Sequence, residues 1–121
     1  MESESDSKAE VIATYFDALD AGDFELAAEQ FTSDVTYIHP PMYGGATHIH
    51  GRDELLEFMT ETRGETDSIH VTDRSTTSKN VVALVGHIEP RSGGDPVDHY
   101  VAYATFDGDR IDHYIAGLLR G

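Results

Sequence analysis

The stretch Val35-Thr36-Tyr37-Ile38-His39-Pro40-Pro41-Met42-Tyr43-Gly44-Gly45-Ala46-Thr47-His48-Ile49-His50-Gly51-Arg52 decides the fold. Val35, Tyr37 and His39 alternate with Thr36 and Ile38, the period of a strand with one face turned inward. Pro40 and Pro41 end that strand, because proline has no amide hydrogen to donate and restricts the residue before it. His39 is left at the lip of whatever the strand encloses. Three of the seven histidines, His39, His48 and His50, fall in this stretch, so a reactive site is sought here first.

Upstream, the spacing predicts two helices. Ser7-Lys8-Ala9-Glu10 fits a capping box that opens a helix over 8–21. Ile12, Tyr15, Phe16 and Leu19 then recur at the interval of one helix face. Gly22 can end this helix, and Asp23 can cap a second over 23–31, where Phe24, Ala27, Ala28 and Phe31 repeat the spacing. Downstream, a loop over 40–50 leads to a third helix over 52–62, with Leu55, Phe58 and Met59 on its apolar side and Gly64 beyond its end.

From residue 66 the apolar period changes to that of strands. Segments 67–77, 81–89, 97–106 and 110–118 are separated by Ser78-Lys79-Asn80, by the Pro90 to Pro96 loop and by Asp107-Gly108-Asp109. Short turns make such neighbours antiparallel. The whole of 1–121 is read as one α+β domain with a frayed, disordered 1–6. A curved antiparallel sheet packs on three N-terminal helices in a cone, enclosing an apolar cavity open at one end.

Composition bounds the function. Cysteine is absent, which excludes disulfides and thiolate chemistry. No apolar run is long enough to span a membrane as a helix, and the acidic amino terminus is unlike a secretory signal, so a cytoplasmic location is expected. Twenty-three acidic residues face eight basic ones, for a net charge of −15. The acids are spread along the chain, which reads as a solvated, halophilic surface adapted to salt rather than a docking patch. The arginines are scattered, so nucleic-acid binding is not expected.

Several runs carry a family resemblance. They are Tyr15-Phe16-Asp17-Ala18-Leu19-Asp20-Ala21-Gly22-Asp23, Asp34 to Pro40, Gly51-Arg52-Asp53-Glu54-Leu55 and Phe106-Asp107-Gly108-Asp109-Arg110-Ile111. Together with the order of elements, over about 8–118, the chain resembles nuclear transport factor 2-like proteins, also called cystatin-like in fold. Within them it is most similar to the SnoaL-like and ketosteroid isomerase-like branch. The resemblance implies that Tyr15 holds the place of an oxyanion-binding tyrosine. It implies that His39, before Pro40, stands where the isomerase has its aspartate base. It also places Ala102 where the isomerase has an aspartate, kept protonated by its apolar site, as second donor. One role is thus retained, one replaced and one lost.

The implied function is a small-molecule pocket without a cofactor. It acts as an isomerase or a dehydrating lyase on a small hydrophobic carbonyl compound, or it serves as a non-catalytic binding or dimerisation module. Histidine titrates near neutrality and suits a base, and a tyrosine hydroxyl in an apolar cavity suits a developing oxyanion. His39 and Tyr15 are the catalytic candidates. Phe16, Leu19, Tyr37, Phe58, Met59, Asp98, Tyr100, Ala102 and Tyr114 are the candidate pocket residues. Each has a plainer reading: Tyr15 and Tyr37 as core aromatics, His39 as a strand-end residue bonded to its loop, Asp98 as a solvated strand start.

On 97–106 one register turns Asp98, Tyr100, Ala102, Ala104 and Phe106 inward, and the other turns His99, Val101 and Tyr103 inward. The two alanines favour the first, since they leave cavity volume. His113 and Tyr114 pose the same choice on the last strand. His39, His48 and His50 could in principle offer three nitrogens, but the pattern lacks further ligands and no metal is expected. His70 and His87 are read as sheet-surface residues. A homodimer is expected through the sheet face that the helices leave uncovered.

Overall fold

A computed structural model of the chain describes residues 4–39, 48–64, 66, 68–95 and 98–119. Helices α1 (Glu4–Ala21), α2 (Phe24–Glu29) and α3 (Arg52–Glu57), the last continued by a π-helical turn at Phe58–Arg63, cover one face of a curved six-stranded sheet. The strands are β1 (Phe31–Ile38), β2 (His48–His50), β3 (Ser68–Ser78), β4 (Val81–Pro90), β5 (Asp98–Asp107) and β6 (Arg110–Leu119). They lie in the order β2-β1-β6-β5-β4-β3. The last four form the expected antiparallel meander. β1 lies parallel to β6, which brings the strand carrying Tyr37 beside the strand carrying Tyr114. None of the described helices is long and apolar enough to cross a membrane.

Helix α1 buries Ile12, Tyr15, Phe16 and Leu19, the stripe that their spacing predicts. Its end is a Schellman motif. Gly22 takes φ 81°, its N–H bonds the Leu19 carbonyl, and the Asp23 N–H reaches back to the Ala18 carbonyl at 2.9 Å. Asp23 then caps α2, its carboxylate accepting from the Leu26 N–H at 3.3 Å. The start of α1 differs from expectation. Ser7 lies inside the helix, which begins at Glu4, so no capping box forms at Ser7 and residues 4–6 are helical rather than frayed.

Strand β1 starts earlier than its alternation suggests. Gln30 closes α2, and its carbonyl accepts from the Ile111 N–H, so Phe31 is the first strand residue and not the last helical one. The loop read over 40–50 contains a strand at its end. His48–His50 pairs with Thr36–Ile38, and Ile49 is buried opposite Tyr37. Pro40, Pro41, Gly44 and Gly45 lie outside the described residues. The third helix changes character at Phe58, where the Thr60 hydroxyl donates to the Leu56 and Glu57 carbonyls. Side-chain bonding of this kind competes with the regular ladder.

Strand β5 adopts the register that the alanines favour. Tyr100, Ala102, Ala104 and Phe106 are buried, whereas Val101 and Tyr103 are exposed. On β6 the choice falls to Tyr114, with His113 outside. Gly86 on β4 is fixed by a close approach. The Tyr100 side chain crosses over it and donates to the Val71 carbonyl at 3.2 Å. A methyl group on Gly86 would collide with that carbonyl oxygen and lie 2.7 Å from the Tyr100 hydroxyl.

Candidate functional site

Three elements converge on one aromatic group. Helix α1 turns Tyr15 toward the sheet, β1 turns Tyr37 inward, His39 follows one residue beyond its end and is also buried, and β6 supplies Tyr114. The Tyr15 and Tyr37 hydroxyl oxygens are 2.6 Å apart, and both side chains are buried. Tyr37 stacks on Tyr114 with ring centroids 5.0 Å apart, and Tyr15 meets Tyr114 edge-on. His39 is only 4% exposed. Its ring stacks on Phe58 at 4.3 Å and lies 6.1 Å from the Tyr37 ring.

The structure therefore assembles Tyr15, Tyr37 and His39 inside the fold. Phe16, Leu19, Phe58, Met59, Tyr100, Ala102 and Tyr114 belong to the same buried cluster. Asp98 is half-buried at the first position of β5 and paired with Ile88. His48 and His50 are exposed and flank the buried Ile49, so they do not converge with the inward His39. Ala102 faces inward and offers no hydrogen-bond donor, as the resemblance implies.

Burial tunes the phenols. It pushes the Tyr114 hydroxyl well above its ordinary value, and the neighbouring Tyr37 and Tyr100 add to the effect. Burial likewise pushes Tyr100 up to about 12, against a lowering hydrogen bond from Thr72. Both stay protonated at neutral pH, and Tyr100 donates to the Val71 carbonyl.

Two hollows border other parts of the molecule. One of about 550 Å³ lies on the outer sheet face beside Val85, Val101, Tyr103 and Ile115. The other, of about 400 Å³, lies beside Lys8, Val11 and Asn80. Neither is lined by Tyr15, Tyr37 or His39. The larger hollow is almost wholly apolar, whereas the polar groups of the interior gather at the buried hydroxyls and imidazole, which makes the latter the candidate site.

One cluster escaped the sequence reading. His70 is not a sheet-surface residue. Its ring stacks on Phe16 at 4.8 Å with an interplanar angle of 2°, and Asp20 bonds both its Nδ1 and its backbone N–H at 2.7 Å. Asp20 follows Phe16 by one helical turn, so its place on the inner edge of α1 was visible in the spacing. Its partner fifty positions away was not. His87 does lie on the sheet surface, between Asp73 and Glu89.

The profile of the SnoaL-like domain matches residues 12–114. The chain belongs to this SnoaL-like family. Solved structures agree in fold. An NTF2-like protein from Anabaena variabilis is 21% identical with a TM-score of 0.77, covering 100% of this chain and 96% of its own. A protein from Kribbella flavida, provisionally described as a ketosteroid isomerase, is 18% identical with a TM-score of 0.76, covering 98% and 82%. TerC, co-crystallised with polyporic acid, is 18% identical with a TM-score of 0.74, covering 93% and 92%. No curated protein matches the sequence. At these identities the likeness is one of fold, and the activity must be argued from this chain's own side chains.

Proposed function

We propose that this SnoaL-like chain is a small-molecule pocket protein that works without a cofactor as an isomerase or dehydrating lyase on a small hydrophobic carbonyl compound. The observation that carries the proposal is the 2.6 Å contact between the Tyr15 and Tyr37 hydroxyls beside the inward ring of His39. His39 takes a proton from the carbon next to the carbonyl. The electron pair moves toward the carbonyl oxygen, which Tyr15 stabilises by donation. Tyr37, hydrogen-bonded to Tyr15, makes that donor part of a chain and polarises it. The proton then returns from His39 to a second carbon in isomerisation. In dehydration a β-hydroxyl leaves with a proton as water while a C=C bond forms.

The surrounding Phe16, Leu19, Phe58, Met59, Tyr100, Ala102 and Tyr114 supply apolar walls, and Asp98 a polar rim. The inward Ala102 favours chemistry that needs only the tyrosine donor. The relatives point the same way, one being provisionally described as a ketosteroid isomerase and another co-crystallised with polyporic acid. The acidic, cysteine-free composition fits a cytoplasmic setting in high salt.

Proton exchange tests the reading directly. A panel of small cyclic ketones is incubated with the protein in heavy water, and deuterium at the α-carbon is followed by NMR. Protein-dependent exchange that His39→Ala abolishes is expected. Exchange that is the same with and without protein would refute the catalytic reading.

A second reading rests on the outer sheet face, where the same fold pairs as a homodimer. Val85 pairs with Val101 and Tyr103 with Ile115 in register, and these four side chains are 37–45% exposed. The hollow they border is lined by one basic residue, Arg74, and no acidic one. In a chain of net charge −15, this patch is one that a second copy can approach without carboxylate repulsion.

A further inference from the structure

Asp20 and His70 make an arrangement that the proposed reaction leaves unused. One Asp20 oxygen accepts the His70 backbone N–H at 2.7 Å, and the other meets His70 Nδ1 at 2.7 Å. A carboxylate accepts only, so in the neutral ring the proton sits on Nδ1. Nε2 then carries a lone pair. No hydrogen bond occupies Nε2 among the described residues. The ring is held in place as well as in tautomer. Phe16 stacks on one side at 4.8 Å, and Tyr100 meets it edge-on at 5.6 Å. The side chain remains 16% exposed, so a ligand can reach it.

A purely architectural bolt between α1 and β3 requires only the backbone bond and the stack. It does not require an imidazole whose tautomer is set and whose second nitrogen is left as an acceptor. The ring also connects to the candidate site. His70 stacks on Phe16, Phe16 lies tilted against Tyr15, and Tyr15 meets Tyr37 edge-on.

We propose that the Asp20–His70 dyad is a second polar contact for the ligand of this pocket, in which Nε2 accepts the hydrogen of a phenolic or enolic hydroxyl. The ligand class is thereby narrowed to small aromatic or enolisable compounds that carry a hydroxyl in addition to the carbonyl. Asp20 is the positioning residue and His70 the contacting one. The inference rests on the pocket reading for the location of the ligand, and on the dyad alone for its hydroxyl.

Phenol and anisole are a matched pair of probes, since they differ in the O–H that Nε2 would accept. The 15N and 1H resonances of the imidazoles are followed as each probe is added to the full chain. The wild-type His70 should show the Nδ1–H tautomer, and its Nε2 resonance should move with phenol and little with anisole. Asp20→Asn offers an amide N–H to Nδ1 and so inverts the tautomer. The phenol response should then be lost while the protein stays folded. His70→Phe keeps a ring against Phe16 and should abolish the preference of phenol over anisole, read as a binding ratio falling to about one. Should Asp20→Asn fail to fold, His70→Phe alone decides. A phenol response at His39 with none at His70 overturns the dyad and leaves the pocket reading standing. A phenol response at neither histidine overturns both.

Discussion

The hydroxyls of Tyr15 and Tyr37 meet at 2.6 Å in the interior, from a helix and a strand twenty-two residues apart. Phenylalanine would fill nearly the same volume at either position without burying a hydroxyl that must be bonded. Tyr15→Phe should lower any turnover by on the order of 10²-fold or more through loss of one oxyanion donor. It should also lower stability by about 1–3 kcal/mol, because the Tyr37 hydroxyl loses a buried partner. Steady-state rates and urea melts on the variant check both. A rate unchanged in Tyr15→Phe would remove the tyrosine from the chemistry. Should the protein bind but not catalyse, the same variant weakens affinity and no rate exists to lose.

Gly86→Ala is expected to be poorly tolerated. The added methyl meets the Val71 carbonyl and the Tyr100 hydroxyl at once, and both belong to paired strands that cannot move apart cheaply. Overpacking of this kind costs typically ~1–3 kcal/mol. Thermal unfolding should show a clear fall in midpoint. Gly86→Ala combined with Tyr100→Phe should recover part of it, since one of the two collisions is relieved.

The fold was legible where the pattern is local. The apolar stripe of α1, the Gly22-Asp23 junction and the inward face of β5 follow from spacing within single elements. What stayed hidden depends on contacts between distant segments. The parallel pairing of β1 with β6 is one example, and β2 is another, being too short to show a period. The pairing of Asp20 with His70 is the clearest case, because nothing in either local stretch marks the partner. At the candidate site, the alternation of Val35, Tyr37 and His39 was enough to put His39 inside. The spacing of α1 turned Tyr15 toward the sheet. The distance between the two hydroxyls, which makes them a pair, belongs to tertiary packing alone.

His87 supplies a pH dependence of stability. Hydrogen bonds that its ring donates to Asp73 and then Glu89 raise its pKa above the ordinary 6.5, and His99 is the other ionisable ring facing it. Both ring nitrogens have carboxylate partners, at 2.8 and 2.5 Å, which only the doubly protonated imidazolium can satisfy together. The folded pKa lies above the unfolded one. The contribution is therefore fully present below pH 6.5 and is lost as pH rises through the folded value. The effect is small, since the pair faces water and salt screens it. His87→Gln should flatten the slope of melting temperature against pH across this window. A slope identical to wild type would assign the dependence to another group.

Homodimerisation through the outer face predicts a specific disruption. Ile115→Glu places a carboxylate in the middle of the apolar patch, opposite the same charge from the second copy. Sedimentation should show wild type at twice the chain mass and the variant at the chain mass, with the fold retained because Ile115 is already 45% exposed. Wild type sedimenting as a single chain at micromolar concentration contradicts the dimer.

Salt is the last lever. Twenty-three acids against eight bases give a net charge of −15, and the described acidic residues are mostly on the surface. Compaction brings these carboxylates closer together than they are in the unfolded chain, so their repulsion opposes folding. Screening shortens its reach from about 30 Å at 0.01 M to about 3 Å at 1 M salt. Few of the charges are offset locally. The salt bridges found among the described residues all use histidine rather than lysine or arginine. Added salt therefore relieves much repulsion and weakens few attractions. The melting temperature should climb from dilute buffer to molar potassium chloride. Sodium chloride should act alike at equal ionic strength, and sucrose at equal osmolality should not reproduce the early part of the rise. A melting temperature flat across the potassium chloride series would show that the acidic surface does not limit stability.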